Sequence, residues 1–116
     1  MIDFNKIKEI YLATGYTYLR KSINGYSLLV QDKYNLSPFI DAMFIFCNRH
    51  KHKIKILYWD KTGFWLLYKR LEQGKFIWPK NNDEAKLISK KQLEWLLDGL
   101  SIEQKSYHKE LNYSYV

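Results

Sequence analysis

The chain is predicted to fold as an α+β domain: an antiparallel sheet of about four to six strands with two helices packed on it. Three observations predict this. Residues 42–79 hold three of the four tryptophans and four of the six phenylalanines in short β-branched and aromatic blocks. The blocks are broken by Asn48–His52, Asp60–Gly63 and Glu72–Lys75, as an antiparallel meander of four strands requires. On either side of the meander lies a stretch with helical rather than alternating spacing.

Taken in order, Ile10–Ala13 reads as a first strand, broken by Thr14-Gly15-Tyr16-Thr17. Leu19, Ile23, Tyr26, Val30 and Tyr34 then recur at steps of three and four, a stripe to lay on a sheet, with Thr17 or Ser22 as its cap. Gly25 inside this helix marks close approach of another element, and Asn35-Leu36-Ser37-Pro38 ends it. Within the meander, Asp60-Lys61-Thr62-Gly63 suits a type I turn closed by a bulged Gly63, pairing Asp60 with Phe64. Leu71-Glu72-Gln73-Gly74, read alike, pairs Leu71 with Lys75. These registers put Ile54, Ile56, Tyr58, Phe64, Leu66, Tyr68, Phe76 and Trp78 on a core face. Lys53, Lys55, Leu57, Trp59, Trp65, Leu67, Lys69 and Ile77 fall on the opposite face. An even-numbered loop at either turn would exchange the faces beyond it. Ala85–Ile88 reads as a fifth short strand. Ser89-Lys90-Lys91-Gln92 is a capping box opening a second helix that buries Leu93, Leu96, Leu97 and Trp95, and Gly99 stops it.

With 116 residues the chain makes one domain, assigned to 1–100, with 101–116 a polar tail or short docked segment. No long apolar run or signal-peptide pattern is present, so a cytoplasmic protein with no membrane contact is expected. The lone cysteine, Cys47, is expected as a small buried apolar residue. Nineteen Lys and Arg against twelve Asp and Glu give +7, a charge that favours polyanionic partners without establishing them.

Arg49-His50-Lys51-His52-Lys53 is the densest cationic run, at a predicted hairpin tip. Two readings are open: a tip that tracks a phosphate backbone, or a solvated turn that discourages edge pairing. The mixed sheet face is equally open. Lysines beside Trp59 and Trp65 suit phosphates and bases, but the indoles also suit half-burial under a helix. The candidate nucleic-acid contacts are Arg49, Lys51, Lys53, Lys55, Trp59, Trp65, Lys69 and Arg70. Arg20-Lys21 is either a phosphate site or two solvated charges, and Arg70 also suits an ion pair with Glu72. His50 and His52 without a third ligand make a weak metal site. Asp41, Asp60, Glu72 and Asp98 form no recognisable pair, and no Ser/His/Asp pattern, phosphate-cradling glycine loop or CxxC occurs. No cofactor and no enzymatic activity are expected.

Several segments together carry a resemblance. They are Gly15-x-Thr17-x-x-Arg20-Lys21-Ser22-Ile23-x-Gly25, Phe46-x-Asn48-Arg49, and Lys53-Ile54-Lys55-Ile56-Leu57-Tyr58-Trp59-Asp60. Gly63-Phe64-Trp65-Leu66-Leu67-Tyr68-Lys69-Arg70-Leu71-Glu72-x-Gly74-x-Phe76-x-Trp78-Pro79 and Leu93-x-x-Leu96-Leu97-Asp98-Gly99 complete it. Over residues 10–100 the chain resembles the TnpB-type accessory protein, from the second open reading frame, of the bacterial insertion-sequence family sixty-six. The unrelated RNA-guided nuclease that shares the TnpB label is a different protein. The resemblance implies a non-enzymatic factor, encoded beside a separate DDE-type transposase and needed for efficient transposition, with no catalytic residues to carry over. DNA at the element ends is the expected partner, in a nucleoid-associated setting. The alternative is a module that docks on the transposase, or on another element-encoded accessory protein, without touching DNA. One departure is visible: Tyr18 precedes Leu19-Arg20 where the family usually has an acidic residue.

Overall fold

Residues 3–104 are described by the structure, a computed structural model. The end of the expected tail, 105–116, lies outside the described residues. The strands are β1 (Glu9–Ala13), β2 (Ala42–Cys47), β3 (Lys53–Asp60), β4 (Gly63–Arg70) and β5 (Ala85–Ile88). The helices are α1 (Ile23–Asp32) and α2 (Lys90–Leu97). One five-stranded sheet runs β4-β3-β2-β1-β5. The α+β class therefore holds, with one qualification. β1 and β2 pair in parallel, from Glu9↔Ala42 to Leu12↔Ile45, whereas every other pair is antiparallel. A parallel pair needs a long crossover, and α1 provides it.

β2 is buried at all six residues, so neither face of the sheet centre is wet. On one face Phe44, Phe46 and Leu57 pack with Tyr26 and Val30 of α1, and Leu19, Ile23 and Tyr34 join partly buried. On the other face Met43, Ile45, Ile54 and Tyr58 meet Leu93 and Leu96 of α2, with Phe76, Trp78 and Ile102. Each large side chain buried this way contributes about 1.5–3 kcal/mol of transfer free energy.

Both predicted helices form with the expected chemistry. The Ser22 hydroxyl accepts from the Gly25 amide at 3.3 Å and starts α1 four residues after Leu19. The close approach expected at Gly25 comes not from another element but from the segment just before the helix, where an added β-carbon would lie 3.1 Å from Lys21 Cβ. The capping box is complete: Ser89 Oγ accepts from the Gln92 amide at 3.1 Å, and Gln92 Oε1 accepts from the Ser89 amide at 2.8 Å. Gly99 takes φ +82, ending α2 as expected.

Two expectations about the meander fail. The β3–β4 loop holds two residues, so Asp60 pairs with Gly63 and Trp59 with Phe64. Lys61 adopts φ +47 itself, which makes the bulged Gly63 unnecessary. The alternation of β4 is thereby exchanged. Phe64, Leu66, Tyr68 and Arg70 share the α1 face with Lys53, Lys55, Leu57 and Trp59, whereas Trp65, Leu67 and Lys69 share the α2 face. The fourth meander strand is also absent. Residues 71–79 turn back under the sheet end: the Leu71 amide donates to the His52 carbonyl and the Phe76 amide to that of Lys51, both at 2.7 Å. Phe76 and Trp78 are buried as predicted, but by docking rather than by strand pairing.

That returning segment fixes the β1–α1 loop. Trp78 Nε1 donates to the Ala13 carbonyl at 2.9 Å, and the Gly15 amide donates to the Pro79 carbonyl at 3.0 Å. Gly15 has φ +72, and a β-carbon there would lie 2.5 Å from Asn81 Cβ. Cys47 is buried, as expected. Burial pushes its thiol up to about 12, against opposing pulls from the Lys51 ammonium and the Asn48 backbone.

Three outcomes follow for stability. Phe46→Ala, at a residue 1% exposed, is expected to cost about 3–5 kcal/mol in denaturant unfolding, whereas Trp65→Ala, 43% exposed, should stay within about 0.5–1 kcal/mol. Gly15→Ala is expected to cost about 1–3 kcal/mol for the left-handed backbone, before any displacement of Asn81. Cys47 should resist a disulfide-exchange reagent at mildly alkaline pH until the chain is unfolded, because thiolate is the attacking form. Fast labelling of the native protein would contradict the burial described.

Candidate nucleic-acid interface

β1 and β2 run in parallel and so end at the same side of the sheet. The β1–α1 loop and the β2–β3 turn leave from that side and, with β3 and β4, enclose a groove of about 730 Å³. Arg20, Arg49, Lys53 and Lys55 line it, with His50 at the turn and Tyr18 and Tyr68 among the walls. Among the described residues no carboxylate lines it.

Local chemistry explains why the cations converge. Asn48 folds the basic turn: its Oδ1 accepts from the amides of His52 at 3.0 Å and Lys53 at 2.9 Å. Its Nδ2 also lies 3.1 Å from His52 Nδ1. Lys51 takes φ +61 to close the turn, which leaves Arg49 and His50 exposed at its tip. On the other wall, the Thr17 amide donates to the Cys47 carbonyl at 2.8 Å, extending the β1–β2 edge into the loop. Lys55 ties loop to sheet by donating from Nζ to the Leu19 carbonyl at 2.6 Å. Its ammonium lies 5.9 Å from the ring centroids of both Tyr26 and Tyr68. The Arg49 guanidinium stands 6.0 Å from the Tyr16 ring, and Tyr16 meets Tyr18 edge-on at 5.8 Å. Arg49 forms a ridge between the groove and a smaller hollow of about 210 Å³ that Lys51 and Lys80 line.

Of the sequence-derived candidates, Arg49, Lys53 and Lys55 share the groove and Lys51 lies just beyond its rim. Arg70 is directly opposite Lys53 in the β-ladder, but its guanidinium is engaged by the Glu72 carboxylate at 3.0 and 2.8 Å, the ion pair anticipated as one reading. That pairing raises the Arg70 pKa and lowers that of Glu72 through the hydrogen bonds and the charge contact. Lys69 projects to the opposite face.

The tryptophans do not join the cations. Trp59 packs 5.1 Å from Phe39 and 4.9 Å from Phe64, near the β3–β4 turn. Trp65 lies on the other face, with Nε1 donating to Asp60 Oδ2 at 3.2 Å. The supposed face of lysines beside indoles therefore splits, because it depended on the bulged turn. Tyr68, which that reading placed in the core, instead lines the groove. So does Tyr18, noted only as a departure from a pattern. The strand–loop–helix order of residues 10–26 places Tyr18 in the loop that leaves β1, whereas the face taken by Tyr68 follows only from the two-residue β3–β4 turn. Among the described residues no group of three or more His, Cys, Asp or Glu could hold a metal ion. No helix among them is long and apolar enough to cross a membrane.

Comparison with known proteins bears on the whole unit. The family described as IS66 Orf2 like protein matches residues 8–107. Two relatives from Sinorhizobium fredii, the uncharacterized proteins y4hO and y4jC, are 35% and 32% identical over 100 residues. Each alignment covers 86% of this chain, and 87% and 86% of the two relatives respectively. No solved structure matches. The chain belongs to the IS66 Orf2-like family, accessory proteins of insertion-sequence transposition.

Proposed function

We propose that the protein assists transposition by binding DNA at the element ends through the groove between the β1–α1 loop and the β2–β3 turn, without catalysing a reaction itself. One observation carries the reading: Arg20, Arg49, Lys53 and Lys55 converge on one groove, and among the described residues no acidic side chain lines it. Net charge alone would not suffice, since +7 spread evenly attracts any polyanion weakly. Cations concentrated at one place release condensed counterions from a phosphate backbone, which is the main source of affinity for DNA. The start of α1 adds a weak positive potential on the same side. A separate DDE-type transposase would perform the strand chemistry, in the cytoplasm and on the nucleoid.

A second reading rests on the outer strand. β4 is an edge, and Trp65 is exposed on it, a residue type favoured as an interface anchor. In that reading the protein docks on the transposase or another accessory subunit of the element.

A salt titration of binding to element-end duplex distinguishes them. Four groove cations predict a log–log salt slope of roughly −3 to −4. Arg49→Ala and Lys53→Ala should each weaken binding and reduce the slope by about one, whereas Lys69→Ala should change it little. No detectable binding of element-end DNA at low salt, as duplex or as single strand, would overturn the DNA reading. A transposase pull-down that survives nuclease and is lost in Trp65→Ala would favour the second.

A further inference from the structure

We propose that the groove takes DNA that is unpaired, with Tyr18 and Tyr68 stacking on a base that has left the duplex while Arg20, Arg49 and Lys53 hold its flanking phosphates. The inference rests on the DNA reading above and adds the form of the nucleic acid. Tyr18 is 73% exposed and Tyr68 53% exposed, and both line the groove that the cations line. Phosphate contacts alone need no rings. An intact duplex keeps the π-faces of its bases inside the stack, so exposed phenols give it little beyond what the cations supply. A single strand offers those faces, and base–aromatic stacking is the usual sequence-tolerant source of its affinity.

Each ring has one neighbour that leaves most of it open. Tyr16 meets Tyr18 edge-on with an interplanar angle of 85°, and Arg49 stands over Tyr16. Lys55, anchored on the Leu19 carbonyl, sits beside Tyr68. β4 is the last strand of the sheet, so among the described residues no further strand beyond Tyr68 closes the groove to a chain entering along the edge.

The test uses the full chain and fluorescence anisotropy with one labelled element-end strand, alone and annealed to its complement, at equal salt. A 2-aminopurine replacing one base reports stacking. The single strand is expected to bind about tenfold or more tighter than the duplex, with 2-aminopurine quenched on binding. Tyr18→Ala and Tyr68→Ala should each weaken single-strand binding about 5- to 100-fold, weaken it far more than duplex binding, and relieve the quenching. Tyr68→Phe should behave as the parent, since stacking needs the ring and not the hydroxyl. Both positions are exposed, and unchanged thermal melts verify that the variants fold. Duplex bound as tightly as single strand, or alanine variants that bind the single strand undiminished, would overturn this inference while the DNA reading stands. Failure of both forms to bind at low salt would remove the DNA reading and this inference with it.

Discussion

β2 is dry on both faces along its whole length, and the rest of the architecture answers to that. A strand at the centre of a sheet can be sealed twice only if each face has its own cover. α1 closes one side with Tyr26 and Val30, and α2 with the returning segment closes the other with Leu93, Leu96, Phe76 and Trp78. Once both faces are taken, groups that must stay hydrated are left with strand ends and outer strands. The cations therefore gather beyond the ends of β1 and β2, and the candidate interface is a groove at the sheet end rather than a flat face.

Local chemistry was well legible where it was self-contained. Ser89 with Gln92, Ser22 before an apolar stripe, and Gly99 after a leucine-rich turn each determine their own geometry within four residues. The β3–β4 turn was not of that kind. A bulged Gly63 and a two-residue Lys61–Thr62 loop differ by one residue of register, and the choice turns on Lys61 accepting a left-handed backbone. A single step there moves Trp65 and Tyr68 to opposite faces, because strand side chains alternate with period two. The missing fourth strand has a tertiary cause. The amides of Leu71 and Phe76 find the carbonyls of His52 and Lys51, so the segment satisfies its hydrogen bonds against the β2–β3 turn instead of β4.

The basic run was legible as a place but not as a shape. Its position in a turn follows from Asn48 and the blocks around it, and Arg49, Lys53 and Lys55 do end up together. That Arg20, Tyr18 and Tyr68 complete the same groove depends on long-range contacts. Thr17 continues the ladder of Cys47, Lys55 reaches the Leu19 carbonyl, and Gly15 lies against Asn81. None of these is visible in local spacing.

Lys55 shows how scaffold and site share a residue. Its ammonium gives one hydrogen bond to the Leu19 carbonyl and stands beside two tyrosine rings, which leaves it less free to follow a phosphate than Arg49 or Lys53. Arg70 is constrained differently, since its guanidinium is already shared with Glu72 at the rim. A lysine half-buried against a carbonyl holds the loop whether or not DNA is present. In the proposed DNA reading, Arg20 and Lys53, with Arg49 once it leaves the Tyr16 ring, are the groove cations whose side-chain freedom is lost on binding and whose counterion release contributes most to the salt dependence. The groove thus separates one tethered cation, Lys55, from Arg20, Arg49 and Lys53, which have no such tie to a backbone carbonyl. Stacking favours rigid rings, whereas a phosphate chain of variable path favours long flexible cations.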